Sequence, residues 1–285
     1  MNLLYCGDQN TEDGLIISIL SLLKKGNERL NIFVFTMKLK VKDKQYQPIR
    51  DSVTNYLNEL VKKENSDNSV EKLDLSDLFE EELPVANLET RFTPYCMLRL
   101  FADKIKEIPD RILYLDTDVV CRGNLERFYY QNLNGFDLAG VLDYYGSWFF
   151  RRNPLKRDYI NSGVMLLNME QIRLDGLFSS CREQCRTKKM FMPDQSSINK
   201  LSSRKKILPR CCNEQRKLKE DTILQHFTTS FRFFPWIHTL TVKPWEIDRV
   251  HDKLKIHEYD DILEQYEQIL AYLFSDQKSG TLFKH

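Results

Sequence analysis

One segment constrains this chain more than any other: Arg111-Ile112-Leu113-Tyr114-Leu115-Asp116-Thr117-Asp118-Val119-Val120. Its apolar run suits a strand buried on both faces, as in a parallel sheet, and it ends abruptly on two carboxylates one residue apart. Side chains alternate along a strand, so Asp116 and Asp118 point to the same side. Paired anionic oxygens at a strand end are poor core material. They suit a divalent cation such as Mg²⁺ or Mn²⁺, shared with the phosphates of a ligand. Asp also caps helices and opens turns, so the reading depends on what else in the chain agrees.

The chain has 285 residues, enough for one large α/β domain or two small ones. Lys and Arg number 42 against 41 Asp and Glu, which gives no basic surface for bulk nucleic-acid binding. Arg204-Lys205-Lys206 reads as a solvated face. The apolar run Leu15 to Leu23 is far shorter than the roughly 20 residues a membrane-crossing helix needs. The start, Met1 to Asp8, lacks the basic and long apolar regions of a signal peptide. A cytosolic location is expected, and peripheral contact at the inner face of a membrane is compatible with it. The 7 cysteines are odd in number and form no disulfide framework. Cys181, Cys185, Cys211 and Cys212 could supply four thiolates to zinc, but short Cys-x-x-Cys knuckles are absent, and free thiols are the expectation.

The pattern along the chain is that of alternating strands and helices. Leu3 to Cys6 reads as a buried strand, followed by the polar turn Gly7-Asp8-Gln9-Asn10. Glu12 to Lys25 has helical periodicity, and Asn31 to Met37 reads as a second strand. This β-helix-β opening implies a parallel sheet with ligands at the strand C-terminal ends. Val53 to Val61 predicts a helix and Val70 to Leu75 a strand. Thr93-Pro94 fits a helix start, with Thr93 as cap. That helix would turn Met97, Leu98, Leu100 and Phe101 inward and extend Arg99 toward a ligand. Further expectations are a strand over Phe136 to Leu142, an aromatic and basic loop over Tyr144 to Asp158, and an apolar strand after Asn161-Ser162-Gly163. One helix is expected over Met169 to Lys188, another opening at Pro193-Asp194-Gln195, a strand over Ile223 to Thr228, and an amphipathic helix over Asp260 to Phe274.

Taken in order, these motifs resemble glycosyltransferase family 8, from Leu3 to about Trp245. The resemblance implies a GT-A fold: a Rossmann-like, mixed but mostly parallel central sheet flanked by helices. Residues 1–250 would form the catalytic domain and 251–285 a C-terminal helical extension. Leu4-Tyr5-Cys6-Gly7-Asp8-Gln9-Asn10 is similar to the family's uridine-binding segment, which implies that Cys6, Asp8 and Asn10 meet base and ribose. Phe92 to Leu100 resembles the helix carrying a phosphate-facing arginine, here Arg99. Leu115-Asp116-Thr117-Asp118 matches the metal motif, which implies that Thr117 is among the residues that bind the donor nucleotide. Leu138 to Asp143 resembles the next strand, whose terminal Asp143 would lie near the sugars. Tyr159 to Val164, with Asn161, resembles an Asn-Ala-Gly segment in which Ser162 replaces alanine. Asp194-Gln195 matches a pair beside the reacting sugar carbon, Gln225-His226-Phe227 supplies a third metal ligand in His226, and Lys243-Pro244-Trp245 matches a motif whose lysine holds the diphosphate. Here the chain departs from the pattern: Thr228-Thr229-Ser230 replaces a glycine turn, and Phe231 to Val242 intervenes. Either Lys243 or Arg232 could serve the diphosphate. The insertion could be an acceptor surface or a packed hydrophobic hairpin.

The chemistry implied is retaining transfer of a hexose, glucose or galactose, from a UDP-sugar to a glycan, glycolipid or glycoprotein. Mn²⁺ or Mg²⁺ held by Asp116, Asp118 and His226 would offset charge growing on the leaving diphosphate. Gln195, a poor nucleophile, would give electrostatic support; Asp194 and Asp143 would accept hydrogen bonds from sugar hydroxyls. Two other classes compete. A nucleotidyltransferase would normally show a Gly-rich phosphate loop near its start, and a non-catalytic sugar-nucleotide or glycan binder would have lost the metal ligands.

Overall fold

The computed structural model describes the chain except for residues 27, 91–92, 145–157, 233–237 and 275–285. Strand β1 (Asn2–Cys6) leads through a one-turn 3-10 helix (Gln9–Thr11) into α1 (Glu12–Leu23), then β2 (Asn31–Thr36). A small hairpin, β3 (Leu39–Val41) with β4 (Lys44–Tyr46), precedes α2 (Asp51–Glu64) and β5 (Ser69–Asp74). After an 11-residue 3-10 helix over Pro94–Lys104 come β6 (Arg111–Leu115), β7 (Val119–Cys121), β8 (Leu138–Leu142) and β9 (Ile160–Asn168). Helices α3 (Met169–Asp175), α4 (Leu177–Thr187) and α5 (Pro193–Leu201) lead to β10 (Lys205–Leu208) and β11 (Leu224–His226). Strands β12 (Ser230–Arg232) and β13 (His238–Leu240) pair antiparallel, and α6 (Asp260–Leu273) closes the described chain.

Seven strands form the central sheet in the order β10-β8-β9-β6-β1-β2-β5. Strand β9 runs against both of its neighbours, and the other pairings are parallel. This mixed, mostly parallel sheet has a consequence for function. The C-terminal ends of β1, β6 and β8 share one edge, and reversal of β9 brings its first residues to that same edge. The turns after β1 and β6, Asp143 after β8, and Asn161 to Gly163 therefore converge. Apolar layers cover both faces. On one, Leu15, Ile16 and Ile19 of α1 pack with Val53 and Leu57 of α2 and with Ile262, Tyr266 and Ile269 of α6. On the other, Met97, Leu98 and Phe101 pack with Phe178 and Cys181 of α4 and Ile198 of α5.

Several expectations need correction. The helix expected over Met169 to Lys188 is two helices, because Gly176 adopts φ 62°, a left-handed conformation that glycine tolerates and that ends α3. Arg204-Lys205-Lys206 is not a solvated face. Lys205 begins edge strand β10, its side chain is 2% exposed, and Nζ lies 2.7 Å from Asp158; Arg204 pairs with Asp137 at 2.7 Å. Thr93 stands at the cap position but makes no side-chain capping bond, so Pro94 alone marks that start. The hairpin β3–β4 is an unexpected addition within the charged stretch after β2.

Candidate active site

Strand pairing explains how the three proposed metal ligands meet. Asp116 and Asp118 occupy the turn between β6 and β7. Strand β11 pairs antiparallel with β7 so that His226 is the partner of Val119, one residue from Asp118. Imidazole Nε2 lies 3.2 Å from Asp118 Oδ1 and 3.7 Å from Asp116 Oδ2. One ligand atom from each of the three residues can be chosen so that all lie within 4.8 Å of one another. Gly163 keeps this space open: a Cβ there would come within 2.3 Å of His226 Cε1 and 2.6 Å of Asp116 Oδ2. Two carboxylates and an imidazole around a side-chain-free gap fit a divalent cation of the Mn²⁺ or Mg²⁺ kind.

Lys243 reaches the same cluster. Despite the insertion before it, its ammonium pairs with Asp118 Oδ2. Burial alone would raise the Asp118 pKa, but Lys243 and His226 outweigh it and hold the carboxyl well below the usual range. Burial would lower the pKa of His226 and of Lys243; Asp118 outweighs that for each, and both are raised. The buried His226 Nδ1 has no hydrogen-bond partner among the described residues. Arg232 lies in β12.

Arg99 is 3% exposed and sits beneath the cluster of Asp116, Asp118 and His226 rather than projecting from the helix. Its Nη2 is 3.0 Å from Asp116 Oδ1, its Nε is 3.4 Å from Asp194 Oδ2, and Nη1 donates to the Ser162 carbonyl. Its guanidinium lies 3.9 Å from the Tyr114 ring centroid. Gln195 is equally fixed: Nε2 donates to Asp143 Oδ2 at 2.7 Å, and Oε1 accepts from Ser162 N at 2.9 Å. Ser162 Oγ donates to Asp194 Oδ2 at 3.1 Å. Asn161 Oδ1 accepts from Gly163 N and Asn213 Nδ2, each at 3.0 Å, and so braces the Ser162-Gly163 turn. One connected network thus joins Asp116, Arg99, Asp194, Ser162, Gln195 and Asp143.

At the β1 end, Asp8 accepts from Asn10 N at 3.1 Å and from Asn10 Nδ2 at 2.9 Å, forming a capping box with Thr11. Cys6 and Asp8 are buried and Asn10 is exposed. Burial pushes the Asp8 pKa up against the Asn10 hydrogen bonds. Thr117 is buried, with its carbonyl 2.5 Å from where a Cβ on Gly14 would stand. Glycine at position 14 therefore lets α1 approach the Asp116–Asp118 turn closely.

Tyr114 was not among the residues singled out from sequence. Its hydroxyl donates to Asp116 Oδ1 at 2.6 Å. The strand alternation read from the sequence also selects Tyr114, two residues before Asp116, although Asp116 and Asp118 themselves stand in the turn after β6. Asn213 has no such signal, because a long connection brings it to Asn161. Trp148 and Trp236, at the centres of the two aromatic segments, lie outside the described residues.

Comparison with known proteins shows the family and the fold. The model for glycosyl transferase family 8 matches residues 2–249. Lipopolysaccharide 1,2-glucosyltransferase of Escherichia coli is 25% identical over 92% of this chain and 84% of its own. Among solved structures, galactosyltransferase LgtC in complex with donor and acceptor sugar analogues superposes with TM-score 0.67 at 16% identity, covering 94% of this chain and 96% of its own. The bifunctional glycosyltransferase WbbM, without ligand, gives 0.65 at 16% identity, covering 93% of this chain and 51% of its own. The fold is that of these GT-A enzymes, and the chain belongs to glycosyl transferase family 8. It is a glycosyltransferase. Among the described residues, no helix is long and apolar enough to cross a membrane.

Proposed function

We propose that this glycosyltransferase moves a hexose, glucose or galactose, from a UDP-sugar to a glycolipid acceptor of the lipopolysaccharide type, with retention at the sugar carbon. The observation that carries the reading is the Asp116, Asp118 and His226 cluster with Lys243 at its rim. The full-length likeness to a lipopolysaccharide glucosyltransferase supports the acceptor class. Such an acceptor fits work at the cytoplasmic face of a membrane; another glycan or a glycoprotein would use the same donor half.

Asp116, Asp118 and His226 would hold Mn²⁺ or Mg²⁺, whose bound charge stabilises the leaving diphosphate. Each remaining role belongs to the chain. Lys243, released from Asp118, can turn its ammonium to a phosphate oxygen. Arg99 fixes Asp116 and Asp194 from below, so neither carboxylate must reorganise as charge develops. Asp143 and Asp194 have oxygens to accept from sugar hydroxyls. Gln195, anchored at both ends of its amide, presents a fixed dipole beside the sugar carbon and is not a nucleophile. Retention then follows from attack on the face that the diphosphate leaves, with a donor phosphate oxygen taking the acceptor's proton. Cys6, Asp8, Asn10 and Thr117 would frame the uridine and ribose.

Incubating the protein with UDP-glucose and UDP-galactose, with Mn²⁺ or with EDTA, tests this. Metal-dependent release of UDP from one of the two donors is expected. UDP affinity that calorimetry finds unchanged by EDTA would overturn the metal assignment, and equal competition by ADP or GDP would overturn the uridine site.

A further inference from the structure

We propose that His251, His257 and Asp260 form a second divalent-metal site, for a transition cation such as Zn²⁺, which clamps the turn leading into the C-terminal helix. Only two groups among the described residues have three such ligands close enough to share an ion; one is the cluster above and this is the other. His251 Nε2 lies 2.7 Å from Asp260 Oδ1, and His257 Nδ1 lies 3.2 Å from Asp260 Oδ2. The two imidazoles stack with centroids 4.4 Å apart and planes at 19°.

The backbone is built to bring them together. His251 lies in a single π-helical turn over Val250–Leu254, a rare form that recurs at functional sites. Lys255 then adopts φ 56°, a left-handed conformation uncommon for a side-chain-bearing residue. This reversal folds His257 over His251 and sets Asp260 at the first position of α6. A divalent ion would take one nitrogen from each ring and one carboxylate oxygen, leaving a fourth position to water. The ligand atoms already lie within 4.8 Å of one another. Zinc bonds of about 2.0–2.1 Å need them roughly 3.4 Å apart, a shift that half-exposed side chains can make by rotation.

Two imidazoles to one carboxylate favour Zn²⁺, Ni²⁺ or Cu²⁺ over Mg²⁺ and Mn²⁺, whereas the catalytic cluster has the opposite balance. The clamped turn has a structural reach. Tyr259, next to Asp260, donates its hydroxyl to Gln225 Oε1 at 2.7 Å, and its ring packs against Phe227 with centroids 6.2 Å apart. Gln225 and Phe227 flank His226, so an ion here would stiffen the support of the catalytic histidine without touching substrate.

Calorimetric titration of the full-length chain with Zn²⁺ tests the site, with Asp118→Asn used to disable the catalytic cluster. One Zn²⁺ per Asp118→Asn chain is expected, with no heat from Mg²⁺. His251→Gln or His257→Gln in that background should each weaken Zn²⁺ binding about tenfold or more. In the otherwise native chain, His257→Gln should leave Mn²⁺-dependent UDP binding intact, which also shows that the variant is folded. Saturation of the Asp118→Asn chain at about 100-fold over Kd should raise Tm by several degrees. The proposal is overturned if the Asp118→Asn chain binds no Zn²⁺, or if either histidine variant binds it as tightly as before.

Discussion

The two aspartate–histidine clusters of this molecule use the same ligand types and are held in opposite ways. Asp116, Asp118 and His226 come from distant parts of the chain, are fixed by strand register, and lie in a pocket whose charge is already balanced by Arg99 and Lys243. His251, His257 and Asp260 come from one short turn at the surface. Water screens the second group, and protein dipoles screen the first. Removing one member of a buried charge network leaves the others without solvent to replace it, whereas an exposed pair loses little. The contrast predicts a steep gradient of mutational effect between the two.

The largest effect is expected at Asp118. Asp118→Ala should lower kcat about a thousandfold or more, because the lost interaction stabilises charge present mainly in the transition state. Its thermal stability should fall as well, though by less than its activity, because Lys243 keeps partial access to water when it loses its buried partner. Steady-state kinetics at saturating Mn²⁺ together with a melting curve check both halves; full activity in the variant would remove Asp118 from the metal site.

Arg99 comes next and separates stability from chemistry. Arg99→Met fills the space but leaves Asp116 and Asp194 without their shared counter-charge. Loss of a partner from such a buried pair costs about 3–5 kcal/mol, which denaturant unfolding would read directly. If stability is unchanged, Arg99 is not the internal brace described above. Gly163→Ala should have a smaller and more local effect. A methyl group 2.3 Å from His226 Cε1 must displace the ring, so Mn²⁺ affinity should fall about tenfold or more while the fold persists. Unaltered Mn²⁺ affinity would show that the ligand gap is wider than the backbone of Gly163 implies.

The difference between the clusters also explains what the sequence reveals. Asp116 and Asp118 are legible because strand periodicity and an abrupt apolar-to-acidic boundary are local signals, and the motif order around them extends to His226 and Lys243. The mixed sheet and its first β-helix-β unit are legible for the same reason. Arg99 is legible as a residue of interest but not as a buried brace, because its direction depends on β9 running antiparallel and delivering the Ser162 carbonyl. Asn213 is invisible: only tertiary packing brings it to Asn161. The break at Gly176 could be suspected from glycine in a helical pattern, yet the apolar periodicity on either side conceals it. Composition misleads at Lys205, because a run of basic residues suggests a solvated face while pairing of β10 with β8 buries the lysine stem. The surface histidines carry no periodic signal, and their meeting depends on one π turn and one left-handed lysine.

The smallest expected effect lies at Asp260 in metal-free protein. Its hydrogen bond to His251, and then that to His257, holds the carboxyl below its ordinary value. A depressed folded-state pKa contributes stability above the unfolded value, about 3.9 for Asp, and that contribution is lost as pH falls through the lower folded value. The group is half-exposed, so solvent and salt screen most of the interaction. Asp260→Asn without metal should therefore change stability by less than about 1 kcal/mol at neutral pH. That difference should shrink in 1 M salt and vanish at acid pH, where the native carboxyl is protonated too. Denaturant melts of the native and variant chains at neutral and acid pH, each at low and high salt, give the four numbers needed. A loss at Asp260 comparable to that of Arg99→Met would break the contrast, because it would mean that the surface turn is as dependent on its charges as the buried site.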